Sequence, residues 1–522
     1  MINHAIQNRI HREHIKRIVI ITIVFLLIHG FELILTGTFH DDWLSYFHDY
    51  ATKNMEGMES GRPYYSFVIE MVWLLPGYSY RILGFLTYYA VSLLLYRICS
   101  KLEFIGEQAA FFIALIYISI PCNDARVLLA NYPYALGLLL FFLAVNILIS
   151  HEDHLTTPFR MISLLLFFLS FTLQSNLAMY AIVILFLLFK KRLQLVKYID
   201  YCILPVLFYG LNSWLFPTYG AYENYNTFAF DDVVRTIKLM PNTIIQTMNS
   251  LVNNWCRYWL VNWLCIALAC ITYMLSRNRL SAHKLSNVNV EKQSETDFCI
   301  WGDKNALFIA LTGLVCIALG AFPYAIIRGN IIQTTGIPGR DSIQIALGAA
   351  MLVYSLTCIT KNKLCLIIPI IILGFVFFND YYLEYQKEAY VQMNFQAQIE
   401  NTDPIPGVHI VECDPEEKIA QRRFYTWSGI AAAATGRSDT FILSEQDYKA
   451  YVENADILES IISHNPMLHD FDSSDVSIQS TIVYHPVIST KDTIVLKVLE
   501  LFNNAEFKNR LESIGTISVD AV

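Results

Sequence analysis

Charge is what this 522-residue chain has least of. Asp, Glu, Lys and Arg make up 16% of it, where soluble domains carry about 25%. It has no Asn-x-Ser/Thr sequon, which disfavours an endoplasmic-reticulum glycoprotein and favours a bacterial plasma membrane. It has no Cys-x-x-Cys pair, so a zinc ribbon is excluded. Its 11 cysteines lie mostly inside apolar runs, where they read as small hydrophobes. Only Cys122, Cys256 and Cys413 fall in expected outer segments, too few for a disulfide framework. A basic stripe is missing as well, which excludes nucleic acid as a partner. What is present is apolar: 55% of residues are hydrophobic and the mean hydropathy is +0.41. The chain is also too long for one compact core. A cytosolic enzyme, a secreted disulfide-stapled domain and a disordered scaffold are thereby excluded, leaving a polytopic membrane protein.

The acidic charge is not evenly spread. Residues 383–522 hold 22 acidic and 10 basic side chains, whereas residues 1–382 hold 23 acidic and 27 basic ones. The reading is a mainly α chain. A transmembrane helical bundle (1–382) carries an acidic, extracytoplasmic α+β domain (383–522). A bilayer core needs about 20 apolar residues per helix. Eleven candidate spans meet or approach this, near 18–36, 80–98, 107–121, 133–150, 160–174, 177–189, 198–217, 257–275, 305–327, 342–360 and 363–381. Basic residues cluster at the N-terminus (Arg9, Arg12, Lys16, Arg17) and at alternate connections (Arg97 and Lys101; Lys190, Lys191 and Arg192; Arg277 and Arg279; Lys361 and Lys363). By the positive-inside rule that side is cytoplasmic, and an odd span count puts the C-terminal domain outside.

Three outer segments are long: 37–79, 218–256 and 328–341. Within the first, Phe67–Leu75 reads as an amphipathic stretch at the interface. The polar connection 276–304 reads as a flexible cytoplasmic loop. In the C-terminal domain, Gly407–Cys413 and Thr481–His485 have strand character, and Ser444 is the N-cap of a helix over 444–453.

Chemistry-bearing residues gather on the outer side. His40-Asp41-Asp42-Trp43 follows the first span. A carboxylate there can accept a proton from a hydroxyl nucleophile, and it serves equally as the N-cap of a helix over Leu44–Met55. Ser60-Gly61-Arg62-Pro63 holds an arginine on a constrained backbone, suited to a phosphate or to a solvated turn. Asn123-Asp124-Ala125-Arg126 offers a second carboxylate and arginine, or an interfacial salt bridge between Asp124 and Arg126. Arg328 and Arg340 flank the Gly336-Ile-Pro-Gly339 turn, as phosphate ligands or membrane anchors. Glu32, near the outer end of span one, reads as snorkelling to the interface, and Tyr64, Tyr65, Tyr78 and Tyr80 as belt residues.

On Asp41-Asp42 after span one, Gly61-Arg62-Pro63, Asp124-Ala-Arg126, the many spans and the outer C-terminal domain, the chain resembles the GT-C class of membrane glycosyltransferases. Within that class it resembles the bacterial GtrII-type glucosyltransferases that decorate O-antigen. The resemblance covers roughly the first 150 residues; the C-terminal domain is longer than in close GtrII relatives. It implies a polyprenyl-phosphate-linked hexose donor and a surface glycan or lipid-linked acceptor. Asp42, or else Asp41, would be the general base, assisted by Asp124. Arg62, Arg126, Arg328 and Arg340 would stabilise the departing phosphate. No metal or cofactor is implied. Two alternatives stay open: a transporter or flippase of lipid-linked saccharides, and a polymerase using lipid-diphosphate donors.

Overall fold

The computed structural model describes residues 2–47, 55, 57–75, 78–151, 156–190, 198–223, 230–286, 304–328, 332–359, 363–402, 404–413, 424–452, 455–472 and 477–521. Every one of the eleven anticipated apolar segments is helical. Five helices are long and apolar enough to cross a membrane: His11–Ile34, Ser79–Lys101, Leu129–Ser150, Asn305–Ile327 and Leu364–Thr402. Six further apolar helices are shorter, from Gly106–Ser119 to Ile345–Thr357. The protein is therefore mainly helical, and a membrane protein by the length and composition of these helices.

Small residues set one close helix crossing. Gly313, on the helix Lys304–Arg328, faces Gly348 on Ile345–Thr357. A Cβ on Gly348 would stand 2.5 Å from the Gly313 carbonyl oxygen and 2.7 Å from the Ile317 nitrogen. Without a hydrophobic drive between helices in lipid, such close backbone approach is what supplies packing energy.

Two expectations for the connections are corrected. The segment 218–256 is no loop, because Phe230–Cys256 is one 27-residue helix. It buries Thr236, Thr243, Thr247 and Leu251 while exposing Ile237, Ile245 and Val252. Met240, Ile244 and Met248 pack on the same inner face as the threonines, so apolar and polar residues alternate along the sequence and leave no apolar run of membrane length. The connection after Ser276 likewise stays helical to Ser286, and the rest of that expected loop, 287–303, lies outside the described residues.

The last membrane-length helix, Leu364–Thr402, is 39 residues long. At about 1.5 Å per residue it is nearly twice as long as the hydrocarbon core is thick. No linker separates the two parts of the chain; the two hydrophobic cores divide inside this helix. Tyr382, Tyr385 and Ala389 belong to the first core, and Tyr390, Phe395 and Ile399 to the second, together with Trp43 from the first outer segment.

The second core is built on a four-stranded sheet of β1 (Gly407–Cys413), β2 (Thr440–Leu443), β3 (Ile478–Pro486) and β4 (Gly515–Ala521). Its order is β2-β1-β3-β4, with β1 parallel to both neighbours and β4 antiparallel to β3. β1 and the core of β3 stand where strand character was read; β2 and β4, short or polar, were not foreseen. Ser444 caps as expected, accepting from Asp447 N–H at 3.1 Å. The element it starts is a short helix, Glu445–Asp447, that runs on as a wider turn over Tyr448–Val452.

Candidate functional site

The site lies where the first helix ends. Arg81, buried at the start of the Ser79–Lys101 helix, donates to the carbonyls of Leu35 at 2.7 Å and Gly37 at 2.6 Å. It thereby fixes the chain that leads to the acidic pair. Sequence reasoning passed over it, since an arginine at a span end reads as an anchor. The chain then turns at His40, whose φ is +44°, a conformation that non-glycine residues seldom adopt.

Past that turn the two carboxylates part. Asp42 is 1% exposed. Its oxygens accept from the backbone N–H groups of Leu129 at 2.9 Å and Ala130 at 3.0 Å, and the Tyr80 hydroxyl lies 3.4 Å away. Burial pushes its carboxyl up to about 7, against the pull of those two backbone bonds. The helix it opens, Asp42–Phe47, covers the start of the expected 44–55 element; residues 48–54 lie outside the described residues. The Asp42 side chain reaches across to another segment's backbone instead of capping its own helix.

Asp41 is the accessible member, its side chain 27% exposed. His40 Nδ1 stands 2.5 Å from its Oδ1, the Tyr425 hydroxyl donates to it at 3.1 Å, and Arg340 lies 3.5 Å from its Oδ2. Burial opposes its ionisation. The hydrogen bond and charge of His40, with Arg340 and Tyr425 behind them, outweigh that and hold the carboxyl at about 2. Of the two carboxylates, Asp41 can be reached from the surface, whereas Asp42 is buried and already engaged.

Arg340 sits 5.8 Å from the Tyr134 ring. Its Nε is buried with no hydrogen-bond partner among the described residues. Tyr65 completes this wall, donating its hydroxyl to the Ala130 carbonyl. Tyr65 and Tyr80 are therefore hydrogen-bonded parts of the site and not belt residues. Arg62 precedes the Pro63–Trp73 helix, and its charge acts on both Tyr64 and Tyr65. Gly61 at φ +69° holds that turn against the Phe216 carbonyl, where a Cβ would come to 2.9 Å. The Arg328 side chain lies outside the described residues.

Asp124 and Arg126 do not pair with each other. Asp124, fully buried, accepts from the Gly336 N–H at 2.9 and 3.2 Å, which ties its turn to the Gly336–Ser342 segment. Burial pushes its carboxyl up to about 8, against the backbone N–H groups of Asp124, Gly336 and Ala125. Arg126 turns inward, its Nε 3.1 Å from Glu32 Oε2 and its guanidinium 4.0 Å from the Tyr88 ring. Glu32 is fully buried and does not snorkel. Beside this pair, His29 accepts from or donates to Tyr382 at 2.8 Å. A cavity of about 30 Å³ lined by His29, Tyr88, Asn123 and Arg126 has room for one or two waters. The predicted set therefore splits. Asp41, Arg340 and Arg62 all act on Tyr65, while Asp42, Asp124 and Arg126 are buried.

Tyr425 was beyond sequence reasoning. It comes from the helix Phe424–Thr435 of the C-terminal part, and its hydroxyl lies 3.0 Å from His40 Nε2, 385 positions away. Tyr134 carried a weak signal, the Asn131-Tyr-Pro-Tyr134 run at the start of a helix. Among the described residues no group of three or more His, Cys, Asp or Glu is arranged to hold a metal ion. No family model matches the chain, and no curated protein matches it.

Proposed function

We propose that the protein is an integral-membrane glycosyltransferase of the GT-C type. It would move a hexose from a polyprenyl-phosphate donor to a surface glycan or a lipid-linked acceptor on the outer face of a bacterial plasma membrane. In this reading all eleven helical segments lie in the bilayer, the N-terminus is cytoplasmic and the sheet-bearing C-terminal part is outside. The carrying observation is that Asp41 and Arg340, an accessible carboxylate and a guanidinium with an unused buried Nε, meet at 3.5 Å.

The chemistry follows from that contact. Paired with Arg340 and His40, Asp41 is a weak base, its carboxyl held at about 2. A donor phosphate bound by Arg340, with Arg62 nearby, offsets the guanidinium charge and raises the basicity of Asp41 when the donor is in place. The acceptor hydroxyl oxygen then bonds to the anomeric carbon, and its proton passes to the Asp41 carboxylate. The anomeric carbon–oxygen bond to phosphate breaks, and its electron pair leaves with the polyprenyl phosphate. Arg340 stabilises that growing negative charge more than it stabilises the bound donor.

A transporter of lipid-linked saccharides is the second reading, and the buried Glu32–Arg126–His29 group is what favours it, because intramembrane ionisable residues mark pathways. Mass spectrometry of envelope glycans separates the two, in cells lacking the gene and complemented with wild type or with Asp41→Asn. The transferase reading requires a hexose that disappears on deletion, returns with wild type and stays absent with the folded variant. A glycan unchanged by deletion would overturn it.

A further inference from the structure

The helix Thr490–Phe502 of the C-terminal part is fixed at both its start and its inner face. Ser489 closes its N-terminus reciprocally, its hydroxyl accepting from Asp492 N–H at 3.2 Å while the Asp492 carboxylate accepts from Ser489 N–H at 3.0 Å. Inward it buries Thr493, Leu496 and Lys497. Glu500 on the same side takes the Tyr390 hydroxyl at 2.7 Å and stands 3.5 Å from Thr36 Oγ1.

Those partners place the helix at a definite depth. Thr36 lies two residues past Ile34, the end of the first membrane-length helix, and Gln386 donates to its hydroxyl at 2.7 Å. Measured from Leu364 at about 1.5 Å per residue, Gln386 and Tyr390 stand roughly 33 and 39 Å along their helix. The hydrocarbon core is about 30 Å thick, and the headgroups bring the bilayer to about 40–45 Å. Thr490–Phe502 therefore lies at the headgroup layer.

The face it turns away from the protein is apolar. Ile494, Val498, Leu501 and Phe502 form one stripe at helical spacing, and Phe502 is 82% exposed. Leu33 and Ile34, the last apolar residues of the first membrane-length helix and two to three residues before Thr36, are exposed as well. A second helix at the outer boundary, Pro63–Trp73, shows the same division: it buries Ile69 and Val72 and exposes Phe67 and Met71, as its sequence led one to expect. Exposed charges around Thr490–Phe502 offset one another, Lys491 and Arg510 against Asp492 and Glu506. The feature on offer is thus the apolar boundary and not an anionic headgroup.

We propose that Thr490–Phe502 is an interfacial helix that inserts Ile494, Val498, Leu501 and Phe502 into the adjacent leaflet, holding the C-terminal part flat on the bilayer with Tyr425 over Asp41. Such a helix lies in the plane of the interface with its apolar face sunk about 5–10 Å into the headgroup–acyl boundary. The inference needs only the membrane character of the chain and stands apart from the proposed reaction.

The test is a nitroxide on Val498→Cys, compared with one on Lys508→Cys, in the full chain reconstituted in neutral phosphatidylcholine vesicles. Cys256, Cys270 and Cys299 are replaced by Ser. Collision with oxygen, which concentrates in lipid, is measured against collision with a water-soluble nickel chelate. The oxygen-to-nickel ratio is expected to be at least several-fold higher at 498 than at 508. Equal ratios would overturn the proposal by showing that the stripe faces water. Protection of 498 from both reagents would overturn it in favour of a protein partner. If the Val498→Cys chain does not fold, a nitroxide on Phe502→Cys reads the same surface.

Discussion

Exchanging one carboxylate of the acidic pair at a time should separate stability from chemistry. In Asp42→Asn, one of the two backbone donors at Leu129 and Ala130 loses its acceptor and faces an amide group instead. A buried donor left unpaired costs about 1–3 kcal/mol, so the variant should melt about 1–3 °C below wild type yet, on the proposed transferase reading, transfer sugar at a near-normal rate per folded molecule. Asp41→Asn is the converse. Its side chain is partly exposed and its contact with Arg340 is long, at 3.5 Å. The loss of stability should therefore stay at about 1 kcal/mol or less, while, on the proposed transferase reading, loss of the general base lowers the rate by about 10²–10⁴-fold. The assay pairs thermal unfolding in detergent with transfer from a polyprenyl-phosphate hexose, normalised to folded protein. An Asp42→Asn chain with wild-type melting and no turnover, beside an active Asp41→Asn chain, would refute the assignment.

Four further outcomes follow from the same geometry. Removing either member of the buried Glu32–Arg126 pair should cost about 3–5 kcal/mol. The double variant Glu32→Gln with Arg126→Met should recover most of that loss, and strictly additive losses in a thermal double-mutant cycle would contradict the pairing. Asp42 and Asp124 have folded-state carboxyls raised from 3.8 to about 7 and about 8. Their contribution to stability is fully present below pH ~3.8 and is lost as pH rises through 7 and 8. Melting temperature should accordingly fall between about pH 4 and 8 and level off above that, and fall less in Asp124→Asn; an unchanged slope in that variant counts against the assignment. Gly348→Ala must push its helix off the Gly313 carbonyl, with an expected cost of about 1–3 kcal/mol in thermal unfolding. Tyr425→Phe deletes one hydrogen bond to Asp41, worth about 0.5–1.5 kcal/mol, so a roughly 2–10-fold drop in transfer rate with little change in melting is expected.

The sequence by itself determined what depends on local composition. Apolar runs of membrane length, the acidic pair after the first of them, the glycine-flanked Arg62 and the β-branched Gly407–Cys413 strand are all visible without coordinates. Each rests on hydrophobicity, spacing or turn preference within a few residues. The helix Phe230–Cys256 escaped because threonines share its inner face with Leu251, Met240 and Ile244, so no apolar run of membrane length marks it. What only the tertiary structure decided is which charged group is accessible. Asp41 and Asp42 are neighbours of identical type, yet backbone donors from 87 and 88 positions away bury one, while Arg340 and Tyr425 face the other. Likewise Arg126, two residues from Asp124, finds its counter-charge in Glu32 on another helix. Burial and pairing are set by atoms brought together across hundreds of residues, and no local pattern encodes which distant group will arrive.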